Sequence, residues 1–88
     1  MDANDLKSAG LRVTSPRLKI LEVLENSNNH HLSAEDIYKL LISQNIEVGI
    51  ATIYRVLTQF EEAGMVNKLN FDNGQSYFEY RMLNTMII

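Results

Sequence analysis

The chain has 88 residues, a formal net charge of −3, 45% hydrophobic and 22% charged residues, and no cysteine. That is one domain's length with a modest core and the composition of an ordinary soluble protein, with neither a disulfide framework nor a thiolate metal site. The longest apolar runs are a few residues, too short for a membrane span, and the polar, acidic start MDANDLKSAG is not a secretory signal, so the chain is expected in the cytoplasm.

Charge is unevenly placed. Residues 1–20 set Lys7, Arg12, Arg17 and Lys19 against Asp2 and Asp5, whereas residues 21–50 set Glu22, Glu25, Glu35, Asp36 and Glu47 against Lys39. A nucleic-acid surface must therefore use the front segment plus Arg55, and one copy is expected to bind weakly with a shallow salt dependence.

In chain order, residues 2–9 suit a short first helix ended by Gly10. GLRVTS is a connector in which Thr14 or Ser15 can cap the next helix, with Pro16 in its first turn, where a missing N–H costs nothing. Leu18, Ile20, Leu21 and Leu24 then repeat at helical spacing, with Val23 alongside and Arg17, Lys19, Glu22 and Glu25 on the wet side. The polar cluster NSNNHH ends that helix. Ser33 is a good N-cap for a third helix, Glu35 and Asp36 suit the positive end of its dipole, and Ile37, Leu40, Leu41 and Tyr38 supply its apolar face. After the connector IEVG, a fourth helix buries Ile53, Val56, Leu57 and Phe60 and stops at Gly64. MVNKLNF and QSYFEY, separated by Asp72, Asn73 and Gly74, read as a β-hairpin. Three to four helices followed by a two-stranded wing make a mainly α (α+β) winged helix-turn-helix over residues 1–80; a generic small α+β domain is the plainer alternative.

With its apolar stripe inward, the fourth helix shows Ala51, Thr52, Arg55, Thr58, Gln59 and Glu62, with Tyr54 at the flank. Ala51 permits close approach, Thr52 can donate to a phosphate or rest its methyl on thymine, and Tyr54 offers a ring and a hydroxyl. Arg55 can contact guanine O6 and N7 bidentately, worth about 1–3 kcal/mol of discrimination. Glu61 and Glu62 would be repelled by phosphate, so the N-terminal half of the helix is the inserted end. Arg12 and Arg17 can contact phosphate, or Arg12 can enter a narrow A·T-rich minor groove. The candidate DNA contacts are thus Arg12, Thr14, Arg17, Ala51, Thr52, Tyr54 and Arg55, although similar residues line exposed helices of many proteins.

LKSAGLRVTSPRLKILEVLE, NHHLSAEDIYKLL and above all GIATIYRVLTQFEEAGMV resemble the ferric uptake regulator family of bacterial metal-dependent repressors, over about residues 6–80. The iron-sensing members are the nearest in pattern; zinc- and peroxide-sensing relatives share the fold. The resemblance implies a dimeric repressor that binds A·T-rich inverted repeats upstream of iron-acquisition genes when loaded with ferrous iron. It implies that Tyr54 and Arg55 contact bases, that Arg12 enters the minor groove, and that His31 and Glu79 belong to a hinge-side metal site. On the residues alone, adjacent histidines in a polar turn are ordinary surface groups, Glu79 alternates with Phe78 and Tyr80 and can simply face water, and one histidine with one carboxylate is at most half a site.

Where the family continues into a histidine-rich segment and a dimerisation domain, residues 81–88 read RMLNTMII. The expectation is a monomer or weak dimer with no firm cofactor of its own; ferrous iron, zinc or manganese and homodimerisation belong to a full-length relative. The expected partner is double-stranded DNA. A winged-helix protein-interaction module is the competing function, favoured slightly by the acidic middle. An enzyme has little support, because no Ser/His/Asp arrangement, glycine-rich phosphate loop or close carboxylate pair with a plausible cleft is seen, and the expectation is that the chain is not an enzyme.

Overall fold

Among the described residues, four helices precede one antiparallel hairpin: α1 (Ala3–Ser8), α2 (Ser15–Glu25), α3 (Ala34–Ser43), α4 (Ile50–Glu62), β1 (Val66–Asn70) and β2 (Ser76–Tyr80). The structure is a computed structural model, which describes residues 3–26, 31–71 and 74–80. The expectations that fall on His30, on Asp72 and Asn73, and on the tail 81–88 lie outside the described residues.

Helix starts follow local chemistry. Thr14 caps α2 by accepting from the Arg17 backbone N–H at 3.4 Å, with Pro16 in the first turn. Ser33 and Asp36 form a reciprocal capping box at the head of α3, with both hydrogen bonds at 3.1 Å. The ends of α3 and α4 share another device. Gly64 follows α4 at φ +80°, Met65 N–H reaches the Phe60 carbonyl at 2.8 Å and Gly64 N–H the Glu61 carbonyl at 3.0 Å. This is a Schellman closure; α3 uses the same pair of bonds with Asn45 at φ 62°. After α4 the closure seats Met65 and Val66 in the core and starts the wing there.

The core gathers Leu6 of α1, Ile20, Leu21, Val23 and Leu24 of α2, Ala34, Ile37 and Leu41 of α3, and Ile53, Val56, Leu57 and Phe60 of α4. Met65, Val66 and Phe78 join it from the wing side. Several expectations need correction. Leu40 and Tyr38 do not join the α3 apolar face; both are exposed, because Ala34, Ile37 and Leu41 already span the strip that meets α2 and α4. On α2, Arg17, Lys19 and Glu25 are half-buried rather than fully wet, and Leu18 packs only at the margin of the core.

The hairpin pairs Val66 with Tyr80 through Asn70 with Ser76, and Gly74 takes φ +83° in its turn. One pairing had no counterpart in the sequence pattern. Leu32 exchanges both backbone hydrogen bonds with Phe78, at 3.0 and 2.7 Å. This single rung of a third strand ties the segment before α3 to the wing and sets His31 beside Glu79.

Candidate nucleic-acid interface

Two segments converge on one side of the molecule. The first is the N-terminal half of α4. Burying Ile53, Val56, Leu57 and Phe60 leaves Ala51, Tyr54, Arg55 and Thr58 exposed, with Thr52 half-buried at the edge. The N-cap, Gly49, makes no side-chain cap bond, so the first-turn amides of α4 keep their capacity for an acceptor. The second segment is the connector before α2, where Arg12 and Val13 are exposed.

The two segments are joined by side chains. Arg17 donates through Nε and Nη2 to the same oxygen, Gln59 Oε1, at 3.2 and 2.7 Å. Its Nη1 donates to the Arg12 carbonyl at 2.9 Å. Of the guanidinium's five N–H groups, three are thus engaged within the protein. Thr14 uses its hydroxyl oxygen as the α2 cap. Arg17 and Thr14 therefore shape the connector first, whatever they add as contacts. Gln59, placed by the sequence pattern among the outward residues of α4, is half-buried and is the acceptor in this link.

Tyr54 is held from the other side. Its hydroxyl donates to Glu35 Oε2 at 3.0 Å, across the α3–α4 angle. The bond, and the negative charge behind it, favour the neutral phenol and raise its pKa above the ordinary value. No local pattern marks Glu35 or Gln59 for these roles, because each pairs with a residue far away in sequence.

His31 and Glu79, the expected metal pair, do meet, with Nε2 3.8 Å from Oε2 on the outer face of the wing. Phe71 lies edge-on to the His31 ring and tilts against Tyr77 on the same face. First-sphere bonds of about 2.0–2.2 Å place neighbouring donor atoms about 3–3.5 Å apart. The pair thus fits two corners of a metal site after closing by a few tenths of an ångström. Among the described residues no group of three or more His, Cys, Asp or Glu is placed to hold an ion.

Two helices joined by a short turn, an exposed second helix and a hairpin wing define a winged helix-turn-helix domain of the kind that docks on double-stranded DNA. The sequence profile of the Ferric uptake regulator family matches residues 8–86. The ferric uptake regulation protein of Shigella flexneri is 64% identical over 74 residues, which are 84% of this chain and 50% of that protein. The ferric uptake regulator of Vibrio cholerae superposes with a TM-score of 0.85 at 51% identity, over 93% of this chain and 63% of its own. That of Pseudomonas aeruginosa, solved with manganese, gives 0.85 at 53% identity, over 91% and 60%. The chain belongs to the ferric uptake regulator family, and it spans about half the length of the curated relative it matches.

Proposed function

We propose that this domain is the DNA-reading part of an iron-responsive transcriptional repressor, and that it recognises A·T-rich inverted repeats. The observation that carries the reading is the joint presentation of Ala51, Tyr54 and Arg55 on α4 and of Arg12 on the adjoining connector, all exposed. Arg55 addresses a guanine edge in the major groove, Tyr54 a thymine methyl or phosphate, and Thr52 a phosphate at the rim. Arg12 reaches the flanking minor groove, whose narrow A·T form concentrates negative potential. Glu61 and Glu62, both exposed at the far end of α4, point the helix in by its N-terminal half.

Ferrous iron is the cofactor this reading assigns to the full-length repressor, with zinc or manganese as surrogates. His31 and Glu79 would supply two of its ligands, and the ion would add positive charge at the wing and fix its angle. A homodimer matches the two-fold repeat and is the assembly this reading expects of the full-length repressor. Among the described residues no helix is long and apolar enough to cross a membrane, and the cytoplasm is the compartment that suits the function.

The test is a shift of an A·T-rich inverted-repeat duplex at low salt. Wild type is expected to bind, and Arg55→Ala to lose about tenfold or more. Equal binding by the two would remove α4 from the interface.

A further inference from the structure

We propose that Arg17 and Gln59 form a strap that fixes Arg12 relative to α4, so that minor-groove insertion by Arg12 and base reading by Tyr54 and Arg55 are energetically coupled; Gln59 is thereby a positioning residue for DNA recognition. The inference rests on the DNA-reading function proposed above.

The geometry is specific. Residues 11–14 carry no regular secondary structure, yet they bear the exposed Arg12. One residue grips this stretch at two points: Arg17 donates its backbone N–H to Thr14 Oγ1 at 3.4 Å and Nη1–H to the Arg12 carbonyl at 2.9 Å. The other edge of the same guanidinium closes on Gln59 Oε1 at 3.2 and 2.7 Å. Gln59 lies one helical turn beyond Arg55, so the backbone that carries the minor-groove arginine is anchored to the helix that carries the major-groove arginine.

A planar guanidinium donates along two edges at fixed angles, so it can hold both partners at once; a lysine ammonium keeps the charge but not the fork. The two bonds from Arg17 to Gln59 are part-buried, which shields them in part from competing water, whereas the bond to the Arg12 carbonyl is exposed. The simpler role for Arg17 is a phosphate contact made by its charge. Gln59 is neutral, and that separates the two roles: a charge contact is indifferent to Gln59, whereas a strap fails when either member is removed.

The experiment measures binding of the 88-residue chain to an A·T-rich inverted-repeat duplex by fluorescence anisotropy across a salt series. The variants are Gln59→Ala, Arg17→Lys, Arg12→Ala, Arg55→Ala and the Gln59→Ala/Arg12→Ala double. Gln59→Ala and Arg17→Lys are each expected to weaken binding about three- to tenfold, the scale of one or two net hydrogen bonds. The salt slope should be unchanged in Gln59→Ala, whereas losing an arginine contact to phosphate lowers it by about one. In the Arg12→Ala background the Gln59→Ala effect should shrink to less than about twofold, the mark of coupling in a double-mutant cycle.

A readout without DNA accompanies it. The rate of tryptic cleavage after Arg12, followed by mass spectrometry, should rise in Gln59→Ala while circular dichroism shows the fold intact. A Gln59→Ala loss of full size in the Arg12→Ala background overturns the coupling. Wild-type cleavage after Arg12 in Gln59→Ala overturns the strap. Equal binding by wild type and Arg55→Ala instead defeats the reading-helix assignment and, with it, the coupling; faster cleavage after Arg12 would then still identify the strap as a structural tie.

Discussion

The reading face and the outer face of the wing differ in how much of a site each makes. On the reading face, Arg12, Ala51, Tyr54 and Arg55 stand exposed on adjoining segments, tied together by Arg17–Gln59 and braced by Glu35. On the wing, His31 and Glu79 approach to 3.8 Å and no third metal-ligand side chain joins them among the described residues. Groove contacts each add affinity as they are made, so on the proposed reading one helix with the arm tied to it would already make a partial binder. Metal coordination is governed by ligand number, and two donors hold an ion poorly. The same small fold thus presents an assembled face toward one proposed function and only two donors toward the other.

The largest expected effect strikes both faces at once. Phe60 is fully buried, and its carbonyl accepts the Met65 N–H that closes α4. Phe60→Ala should cost about 3–5 kcal/mol, a large part of the 5–15 kcal/mol by which folded domains are ordinarily stable. Urea unfolding would show the drop in midpoint, and DNA binding and the His31–Glu79 approach should fail together. Retention of either would mean that the two faces do not share a foundation.

The next test separates the faces. Arg55→Ala should cost about 1–3 kcal/mol in DNA affinity, whereas His31→Ala should change it by less than about twofold with manganous ion present or absent, because two ligands give the ion little hold. Anisotropy titrations with and without manganese measure both. A large metal-dependent gain that His31→Ala removes would show that the wing pair has further ligands in this chain.

Much of the reading face is legible in the sequence, for reasons of period. The stripe Ile53, Val56, Leu57, Phe60 recurs at helical spacing, so the opposite residues are fixed once the helix is assumed, and Gly64 marks where it stops. Thr14 and Ser33 are legible because capping is a contact over three residues. The fastenings are not legible. Arg17 meets Gln59 across 42 positions and Tyr54 meets Glu35 across 19, and neither pair leaves a local signature. The α3 face misleads because Leu40 is a strong apolar residue at a helical interval from Ile37, while the position that packs is the small Ala34. The approach of His31 to Glu79 depends on the Leu32–Phe78 rung, a single pair that no strand-length pattern announces. The family resemblance paired those two residues where their surroundings alone did not.

A smaller effect probes the connector. Thr14→Ala removes the α2 cap and should cost about 0.5–1 kcal/mol, toward the lower end for such caps because the bond is long at 3.4 Å. The same change loosens one of the two grips on residues 12–14, so thermal unfolding and DNA affinity should both fall slightly. A loss of affinity with no loss of stability would assign Thr14 a direct contact with DNA.

The smallest effect concerns Tyr54. Its hydroxyl donates to Glu35, and an ionised phenol would lose that bond and face the carboxylate charge. Both contributions hold the proton on, so the folded-state pKa lies above the ordinary phenol value of 10.0. The sign follows from linkage. The bond's contribution to stability is complete below the ordinary value and is lost as pH rises through the higher folded-state value, so it is constant across the neutral range. Tyr54 is 46% exposed and solvent screens the pair, which keeps the energy small. Following the Tyr54 ring resonance against pH should show ionisation at higher pH in wild type than in Glu35→Ala, with Glu35→Gln between them because it keeps an acceptor without the charge. Identical titration in all three would mean that Glu35 does not hold Tyr54 in solution, and the brace on that side of the reading face would be absent.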